Sequence, residues 1–334
     1  MPTLGNLRKR VAGISPAEFD DLALELFHYQ AETNPVYSKF IGHLGFNLES
    51  ITHLSQIPFM PVEFFKYHRV LCDGISANTV YSSSGTTNQV PSLHYVSDND
   101  FYLDHAVRIF ESFYGSLENY HILGLLPGYL EREGSSLIAM VRHFISRAGD
   151  EHSGFYLYDH AALREKISFL AGHSSRKLLL LGVSFALLDL AEEGHFPVTD
   201  KLIVMETGGM KGRRKEMLRE ELHAVLCNAF SVDQIHSEYG MTEALSQAYS
   251  MGQGLFHMPN SMQIRLRDPY DPLDLSNSVK RGAVNLVDLA NYHSCAFLQL
   301  GDIAERTPEG LFRILGRLDN SDVRGCNLMV QQPF

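Results

Sequence analysis

A run of small hydroxyl-bearing residues around a glycine, Tyr-Ser-Ser-Ser-Gly-Thr-Thr-Asn at 81–88, is the strongest chemical signal in the sequence. Backbone N–H and side-chain O–H groups of such a run can donate hydrogen bonds to phosphate oxygens, and the glycine lets the backbone approach closely. The run is not a P-loop, because the chain contains no GxxxxGK[ST] pattern. A Ser/Thr-rich surface turn has the same composition, so this motif alone indicates either a phosphate-binding loop or a surface turn.

A second chemical motif, Ser-Glu-Tyr-Gly-Met-Thr-Glu at 237–243, follows a β-like run at 230–232 and precedes a stretch that we expect to be helical. Glu243 has the carboxylate that Mg²⁺ prefers, Thr242 can donate to a phosphate, and Tyr239 can stack on a purine. The alternative is a turn in which Thr242 caps a helix beginning at Glu243. The motif by itself indicates a nucleotide contact or a helix start.

Two shorter motifs follow in the C-terminal part of the chain. Leu-Gly-Asp at 300–302 places Asp302 at the end of an expected strand, where its carboxylate is suited to ribose hydroxyls or is an ordinary turn aspartate. Gly-Arg-Leu-Asp at 316–319 places Arg317 between the last β-like run and a polar segment.

The elements that must position these residues alternate along the chain. Apolar patterns predict strands at 79–81, 120–126, 178–181 and 201–205, and helices at 98–114, 136–148, 185–193 and 215–229. This alternation predicts an α/β fold with a mostly parallel sheet covered on both faces. Short β-like runs at 282–289, 296–300 and 311–315 predict a small antiparallel sheet or barrel. We therefore expect a helical segment at 1–74, an α/β core at 75–280, a small β subdomain at 281–317, and a hinge with a terminal tail at 318–334.

The composition excludes several classes of protein. Of 334 residues, 45% are hydrophobic and 20% are charged, which excludes wholesale disorder. The net charge of −11 argues against a protein whose main task is binding nucleic acid or an anionic membrane. No apolar run reaches the roughly 18 residues of a membrane-spanning helix, and the N-terminus lacks the apolar core of a secretory signal, so we expect a cytoplasmic protein. The four cysteines form no CxxC and the sixteen histidines no HExxH, so we do not expect a structural metal site.

The four motifs, in this order, resemble the adenylate-forming superfamily of acyl-CoA ligases, peptide-synthetase adenylation domains and luciferases. The resemblance covers roughly residues 75–326. It implies the N-terminal domain of such an enzyme, with mostly parallel sheets flanked by helices and a small antiparallel β subdomain, and with the C-terminal domain absent. Two relatives are most similar in the Ser/Thr loop and the short N-terminal region. They are the phenylacetate–CoA ligase type and the acyl-protein synthetase of bacterial luminescence, and the helical opening and the ending at 321–328 favour the second.

This resemblance implies ATP and Mg²⁺ as cofactors and a carboxylic acid, which we expect to be a fatty acid, as the substrate. Thr242 would hold the α-phosphate, Glu243 the magnesium, and Asp302 the ribose hydroxyls with Arg317 close by. The other implied contacts surround the triphosphate (Ser83, Ser84, Gly85, Thr86 and Thr87) and the adenine (Gly208, Gly209, Glu238 and Tyr239).

The sequence departs from the family pattern at its lysines. Pro91 is followed by Ser92 where the family loop carries a lysine, and Lys211, Arg213 and Arg214 are either substitute cations or a solvated basic turn. Larger members also carry a catalytic lysine on a C-terminal domain that we expect this chain to lack. That lysine is then missing, replaced or supplied by another chain.

Cys326 is the candidate acyl acceptor. The resemblance implies that a cysteine near the C-terminus takes the acyl group from the adenylate and passes it to a partner reductase, a role that suits a thiolate. Arg324, two positions away, can help to lower the pKa of the thiol. The alternative is a small apolar residue in a terminal strand, which is how Cys72, Cys227 and Cys295 are interpreted.

Residues 181–185 follow a buried strand, where relatives line the acyl site, and His236 either faces the carboxylate or is an ordinary turn histidine. The leading hypothesis is an ATP-dependent acyl-protein synthetase. The alternatives are an acyl- or aryl-CoA ligase without its C-terminal domain, and a nucleotide-binding scaffold without turnover.

Overall fold

The computed structural model describes residues 4–83, 90–129, 133–208, 214–215, 217–274 and 278–318. Contacts divide the chain into two units. The first contains Met1–Phe64, Val70–Asp73 and Asn260–Phe334, and the second contains Phe65–Arg69 and Gly74–Pro259. By this division the N-terminal helices group with the C-terminal strands. The segments proposed from the sequence, 1–74, 75–280, 281–317 and 318–334, remain a prediction of domain organisation.

The helices are α1 (Leu4–Ala12), α2 (Phe19–Thr33), α3 (Pro35–Leu44), α4 (Phe64–Tyr67), α5 (Asn99–Tyr114), α6 (Ser136–Ala148), α7 (His160–His173), α8 (Ser184–Glu192) and α9 (Arg219–Phe230). The strands are β1 (Met60–Pro61), β2 (Thr79–Ser82), β3 (Leu93–Val96), β4 (Tyr120–Leu125), β5 (Gly154–Phe155), β6 (Lys177–Val183), β7 (Leu202–Thr207), β8 (His236–Tyr239), β9 (Ala248–Ser250), β10 (Leu255–His257), β11 (Met262–Arg267), β12 (Arg281–Asp288), β13 (Phe297–Arg306) and β14 (Phe312–Arg317). Within the described ranges, no helix combines the length and the apolar character that crossing a membrane requires.

The second unit is built on a sheet in the order β10-β9-β8-β7-β6-β4-β5. Strands β8, β7, β6, β4 and β5 run parallel, and β9 and β10 add to this edge in antiparallel register. All six residues of β4 are buried, as are six of the seven in β6, so both faces of the sheet are covered. The expected α/β fold with a mostly parallel sheet is confirmed. Because parallel strands end at one edge, the carboxyl ends of β6, β7 and β8 lie together there.

A separate antiparallel hairpin is formed by β2 and β3, the strands on either side of residues 83–92, which contain most of the Ser/Thr run. Its register runs from Thr79 opposite Val96 to Ser82 opposite Leu93. Helix α5 follows the hairpin, and it begins where the Asp98 carboxylate accepts the N–H of Phe101 at 3.0 Å.

A hydrogen-bonded cluster ties together the amino ends of β4 and β6. His121 Nδ1 lies 2.8 Å from the Asp150 carboxylate, and Nε2 lies 2.7 Å from Ser174 Oγ. Asp150 also accepts the Ser153 hydroxyl at 2.6 Å, and Ser174 Oγ also accepts the N–H of Arg176 at 3.1 Å. Because each polar group here has several partners, the cluster fixes the start of two core strands.

The first unit contains the antiparallel strands β11-β12-β13-β14, with β1 parallel to β13. The helices α2 and α3 cover it through an aromatic cluster in which Phe27 and Tyr37 contact Phe297, with ring centroids 6.1 and 6.2 Å away. Buried amides complete the attachment: Gln30 donates to the Asn291 carbonyl and Asn34 to the Ser294 carbonyl, each at 2.8 Å. The small antiparallel sheet expected from the C-terminal β-like runs is therefore present.

Two predictions about strand positions are wrong. Residues 230–232 are not a strand: buried Phe230 ends α9, stacked on Phe196 at 4.7 Å, and Ser231 turns the chain with a φ of 54°. Asp302 does not end a strand but lies inside β13, because β13 extends to Arg306 through an irregularity between Ile303 and Ala304.

Candidate functional site

The base of the Ser/Thr loop is closed by a reciprocal pair of hydrogen bonds. Ser83 N–H donates to the Ser92 carbonyl at 3.0 Å, and Ser92 N–H donates to Ser83 Oγ at 2.8 Å. Ser92 is buried, which explains why a small residue stands after Pro91. The two strands are thus held together where the loop leaves the hairpin.

The Tyr-Gly-Met-Thr-Glu motif lies at the carboxyl end of β8. Tyr239 ends the strand half-buried, with its ring edge-on to Phe256 at 5.8 Å. Thr242 and Glu243 then form a turn in which Ala244 N–H donates to the Met241 carbonyl at 3.2 Å. Thr242 is half-buried and Glu243 is 8% exposed.

The prediction of a helix after this motif is wrong. The chain continues from the turn into β9, which pairs with β8 in antiparallel register, Tyr239 opposite Ala248. The physical reason is burial on both sides of the segment: residues 243–250 are all buried between neighbouring elements, whereas a surface helix would expose one face.

The hairpin and this turn are joined by His94 of β3. Its Nδ1 lies 2.8 Å from the carbonyl oxygen of Thr242. The Ser/Thr loop base and the Thr-Glu turn, which are about 150 residues apart in the sequence, therefore belong to one connected arrangement within the second unit.

Of the predicted adenine neighbours, Glu238 and Tyr239 lie at the end of β8, and Gly208 directly follows the adjacent parallel strand β7. Thr207 and Glu238 are register partners at the ends of β7 and β8, and the Thr207 hydroxyl donates to the Glu238 carboxylate. Gly208 follows with a left-handed φ of 71°, and its carbonyl accepts the Ser184 hydroxyl at 2.9 Å. Three parallel strands thus contribute to one edge, the edge at which open α/β sheets bind ligands.

Two buried carboxylates behind this edge, Glu206 and Glu238, have pKa values that are shifted in opposite directions. Burial and, to a smaller extent, the charge of Glu206 raise the pKa of Glu238 to about 7, against the Thr207 hydrogen bond, which lowers it. Burial also opposes ionisation of Glu206, but the neighbouring His223 and the Arg219 guanidinium, 2.8 Å away, hold its pKa below the usual value. Glu206 is therefore the more fully ionised member of the pair near neutral pH.

Asp302 and Arg317 lie in the first unit and are paired with each other. They are register partners in β13 and β14, and Arg317 Nε donates to Asp302 Oδ1 at 3.0 Å. Asp302 is 6% exposed, whereas the Arg317 side chain is 77% exposed. The motif thus presents a guanidinium to solvent beside a buried carboxylate.

Arg214, proposed as a substitute cation, is engaged by acids of α8. Its guanidinium contacts the carboxylates of Asp189 and Glu192, the latter at 2.6 Å, and the Glu192 hydrogen bond raises the pKa of Arg214. Several other predicted residues lie outside the described residues: Ser84, Gly85, Thr86, Thr87, Gly209, Lys211, Arg213, Arg324 and Cys326.

The segment proposed to line an acyl site is tightly packed. A Cβ added at Gly182 would lie 2.7 Å from Leu187, and Ser184 and Phe185 are buried. His236 has its Nδ1 3.0 Å from the Tyr114 hydroxyl, and burial lowers its pKa to about 4, so the ring is neutral.

Two of the three described cysteines are core residues, as interpreted from the sequence. Cys72 and Cys295 are buried, and burial raises the pKa of both thiols. Cys227 differs in being half-buried, although burial raises its pKa as well.

Sequence reasoning missed His94, Thr207 and Glu206. Each lies in a strand with an ordinary alternating or apolar pattern, so only the pairing of distant strands identifies its partner. Among the described residues, no group of three or more His, Cys, Asp or Glu side chains is arranged to hold a metal ion.

No protein-family model matches the sequence, and no curated protein matches it. Solved structures do match. ATP-bound MatB from Rhodopseudomonas palustris has a TM-score of 0.51 at 14% identity, over 71% of this chain and 47% of that one. An ATP-bound chimera, RpMatB-BxBclM B3, has a TM-score of 0.53 at 16% identity, over 74% and 49%. O-succinylbenzoate coenzyme A synthetase (MenE) from Bacillus subtilis, in complex with ATP and magnesium ion, has a TM-score of 0.49 at 16% identity, over 73% and 50%.

This chain spans about half the length of each of these proteins. At identities this low, the matches to the MatB structures show a shared fold and do not show a shared activity. The fold shared with the MatB structures is the α/β fold predicted from the sequence.

Proposed function

We propose that this chain activates a carboxylic acid with ATP as an acyl-adenylate and then transfers the acyl group to a thiol, first that of Cys326. The observation that carries the proposal is the meeting of the Ser/Thr hairpin with the Thr242–Glu243 turn through His94. It occurs in a chain whose fold is shared with ATP-bound MatB.

In the first step a carboxylate oxygen of the acid attacks the α-phosphorus of ATP, and the bond to the pyrophosphate oxygen breaks. This reaction needs positioning and charge neutralisation more than a strong base. Thr242 is half-buried, which suits a hydroxyl that donates to an α-phosphate oxygen. The Ser/Thr loop, with its base closed by Ser83 and Ser92, supplies donors to the other phosphates.

The residues present are suited to a Mg²⁺ ion that binds together with the phosphates of a nucleotide. Mg²⁺ that accompanies a nucleotide is bound through one or two carboxylates, water and phosphate oxygens, so the single carboxylate of Glu243 fits this pattern. Bound there, the ion would neutralise phosphate charge. Glu243 follows Thr242 directly, so one turn would hold both the metal and the α-phosphate.

The adenine is assigned to the edge formed by Gly208, Gly209, Glu238 and Tyr239, and the ribose hydroxyls to Asp302 with Arg317. Tyr239 offers an aromatic face at the end of β8. Asp302 carries a carboxylate that is held beside Arg317, and a carboxylate accepts hydrogen bonds from hydroxyl groups such as those of a ribose.

In the second step the Cys326 thiolate attacks the acyl carbon, the carbon–oxygen bond to the phosphate breaks, and AMP leaves. The thiol proton passes to water before attack. The thioester then transfers to a partner thiol, on a reductase or carrier protein. We place these steps in the cytoplasm, where thiols stay reduced.

Two measurements, both made first in the absence of coenzyme A, test the proposal. The first is ATP–pyrophosphate exchange with fatty acids of several lengths, in the wild type, Thr242→Val and Glu243→Gln. The second is covalent labelling by radioactive acid, with hydroxylamine to cleave thioesters, in Cys326→Ser. Cys227→Ser is the matched control, because Cys227 is a half-buried cysteine that the proposal does not use.

We expect exchange in the wild type, its loss in the Thr242 and Glu243 variants, and label that disappears only in Cys326→Ser. Equal label on Cys326→Ser overturns the acceptor role. If exchange occurs without any label on the protein, and an acyl-CoA thioester forms once coenzyme A is added, an acyl-CoA ligase is favoured. No exchange with any acid favours a scaffold without turnover.

A further inference from the structure

His94 occupies a position that packing alone does not explain. It is fully buried in β3, two residues after Ser92 at the base of the Ser/Thr loop, with its ring edge-on to Phe65 at 5.4 Å. Its Nδ1 lies 2.8 Å from the Thr242 carbonyl oxygen.

The proton arrangement follows from the partner. A carbonyl oxygen only accepts, so Nδ1 must carry the hydrogen. Burial lowers the pKa of His94 to about 4, so the ring is neutral and Nε2 is left as a bare acceptor. In the part of the chain that the structure describes, Nε2 is buried without a hydrogen-bond partner.

An unsatisfied buried acceptor has a cost in folding free energy that an apolar side chain of the same size would avoid. A leucine of similar size would also contact Phe65, but it could not donate a hydrogen bond. The feature unique to the imidazole here is the single donor directed at the Thr242 carbonyl.

We propose that His94 is a positioning residue for adenylation, which holds the Thr242–Glu243 turn in a fixed orientation relative to the hairpin that carries the phosphate loop. This inference rests on the proposed function. Ser92, directly before β3, is bonded to Ser83 at the loop base, and His94 in β3 is bonded to the turn, so both predicted phosphate contacts share one support. Small displacements of positioned reacting groups lower rates strongly.

The test uses three substitutions of similar size. His94→Asn places its amide nitrogen where Nδ1 lies and keeps the donor. His94→Leu keeps the shape and removes it. His94→Gln carries its amide one bond further out, so its donor is misplaced. Phe65→Leu is the packing control, because it perturbs the same buried contact without touching the hydrogen bond.

The readouts are kcat and KM for ATP in pyrophosphate exchange, together with the Tm of each variant. We expect His94→Leu and His94→Gln to lower kcat about 10- to 100-fold, since near-attack geometry of this kind is worth such factors, and His94→Asn to recover most of it. Phe65→Leu should lower the Tm but leave kcat within about threefold of the wild type.

Retention of wild-type kcat by His94→Leu overturns the inference. A His94→Asn variant as slow as His94→Leu also overturns it. So does a Phe65→Leu variant whose kcat falls as much as that of His94→Leu for a similar loss of Tm, because the effect would then be structural. Failure of the proposed function is distinguishable from failure of this inference, because the wild-type protein itself would then show no ATP–pyrophosphate exchange.

Discussion

Thr207 and Glu238 are directly opposite each other on the parallel strands β7 and β8, and the threonine hydroxyl donates to the glutamate carboxylate. Glu206, one residue before Thr207, is also buried and is paired with Arg219. Two carboxylates thus lie behind the carboxyl edge of the sheet, and among the described residues Glu206 is the one with a cationic partner. Their pKa values are accordingly displaced in opposite directions.

The first prediction concerns the pH dependence of stability in Glu238→Gln. The pKa of Glu238 is about 7 in the folded protein and near 4.5 as an ordinary glutamate. The folded state therefore keeps a proton that the unfolded state has lost, and its stabilising effect, complete below pH 4.5, is lost as the pH rises through 7. Glutamine cannot ionise. We expect the Tm of the variant, relative to wild type, to be about 3 °C higher at pH 8.5 than at pH 5.5.

Glu220→Gln is the matched control, because Glu220 is exposed in the first turn of α9 and its substitution removes the same charge. Its Tm relative to wild type should not change between the two pH values. A Glu238→Gln difference that is equally flat would contradict a raised pKa for Glu238.

Much of the fold was predictable because periodicity and capping are local. Ser136–Ala148 was predicted to the residue, and the helix after the hairpin was placed within one residue of its start at Asn99, beside the cap Asp98. The continuous apolar run at β6 correctly indicated a strand buried on both faces.

What failed depended on tertiary context. The run at 230–232 has β-like residues, but Phe230 is drawn into the packing of α9 against Phe196. The stretch after Glu243 has helical composition, but pairing with β8 makes it a strand. The contacts of His94 with Thr242 and of Thr207 with Glu238 join residues far apart in the sequence, and no local pattern encodes which strands become neighbours.

Gly240, in the Tyr-Gly motif, is predicted to be required for space. A Cβ there would collide with Oε1 of Glu238 and would lie 3.4 Å from Gln247 Cγ. We expect Gly240→Ala to lower the free energy of unfolding by about 1–3 kcal/mol, as overpacking does. Denaturant titration is the measurement.

The double variant Gly240→Ala/Glu238→Ala separates this cause from backbone effects. Removing the carboxylate should recover most of the loss due to Gly240→Ala, as expected for two side chains that share one space. Gly172→Ala, in α7 with no atom within 4 Å of the added carbon, should be neutral or stabilising. Additive losses in the double variant would contradict the steric account.

Asp302 is predicted to determine the preference for a ribonucleotide. If its carboxylate accepts hydrogen bonds from the ribose hydroxyls, the wild type should use ATP better than 2′-deoxy-ATP in pyrophosphate exchange. Asp302→Asn should reduce that preference about 10-fold, since hydrogen bonds to charged groups are worth such factors. Arg317→Ala should act in the same direction but more weakly, because Arg317 orients the carboxylate. An Asp302→Asn enzyme that retains the wild-type preference would remove Asp302 from the ribose site.

Asp150 is predicted to stabilise the start of β4 and β6. Burial opposes its ionisation, but hydrogen bonds from Ser153, His121 and the His152 N–H hold its pKa below the usual value. Its contribution is therefore present above pH 3.8 and is lost as the pH falls through the lower folded-state pKa. We expect Asp150→Asn to cost about 2–3 kcal/mol of unfolding free energy at pH 7, the scale of hydrogen bonds to a charged group, and less at pH 3. Asp159→Asn makes the same chemical change at the exposed N-cap of α7, where asparagine caps as well as aspartate, and should cost close to nothing. Equal losses in the two variants at pH 7 would show that the buried cluster around His121 contributes no more than a surface cap.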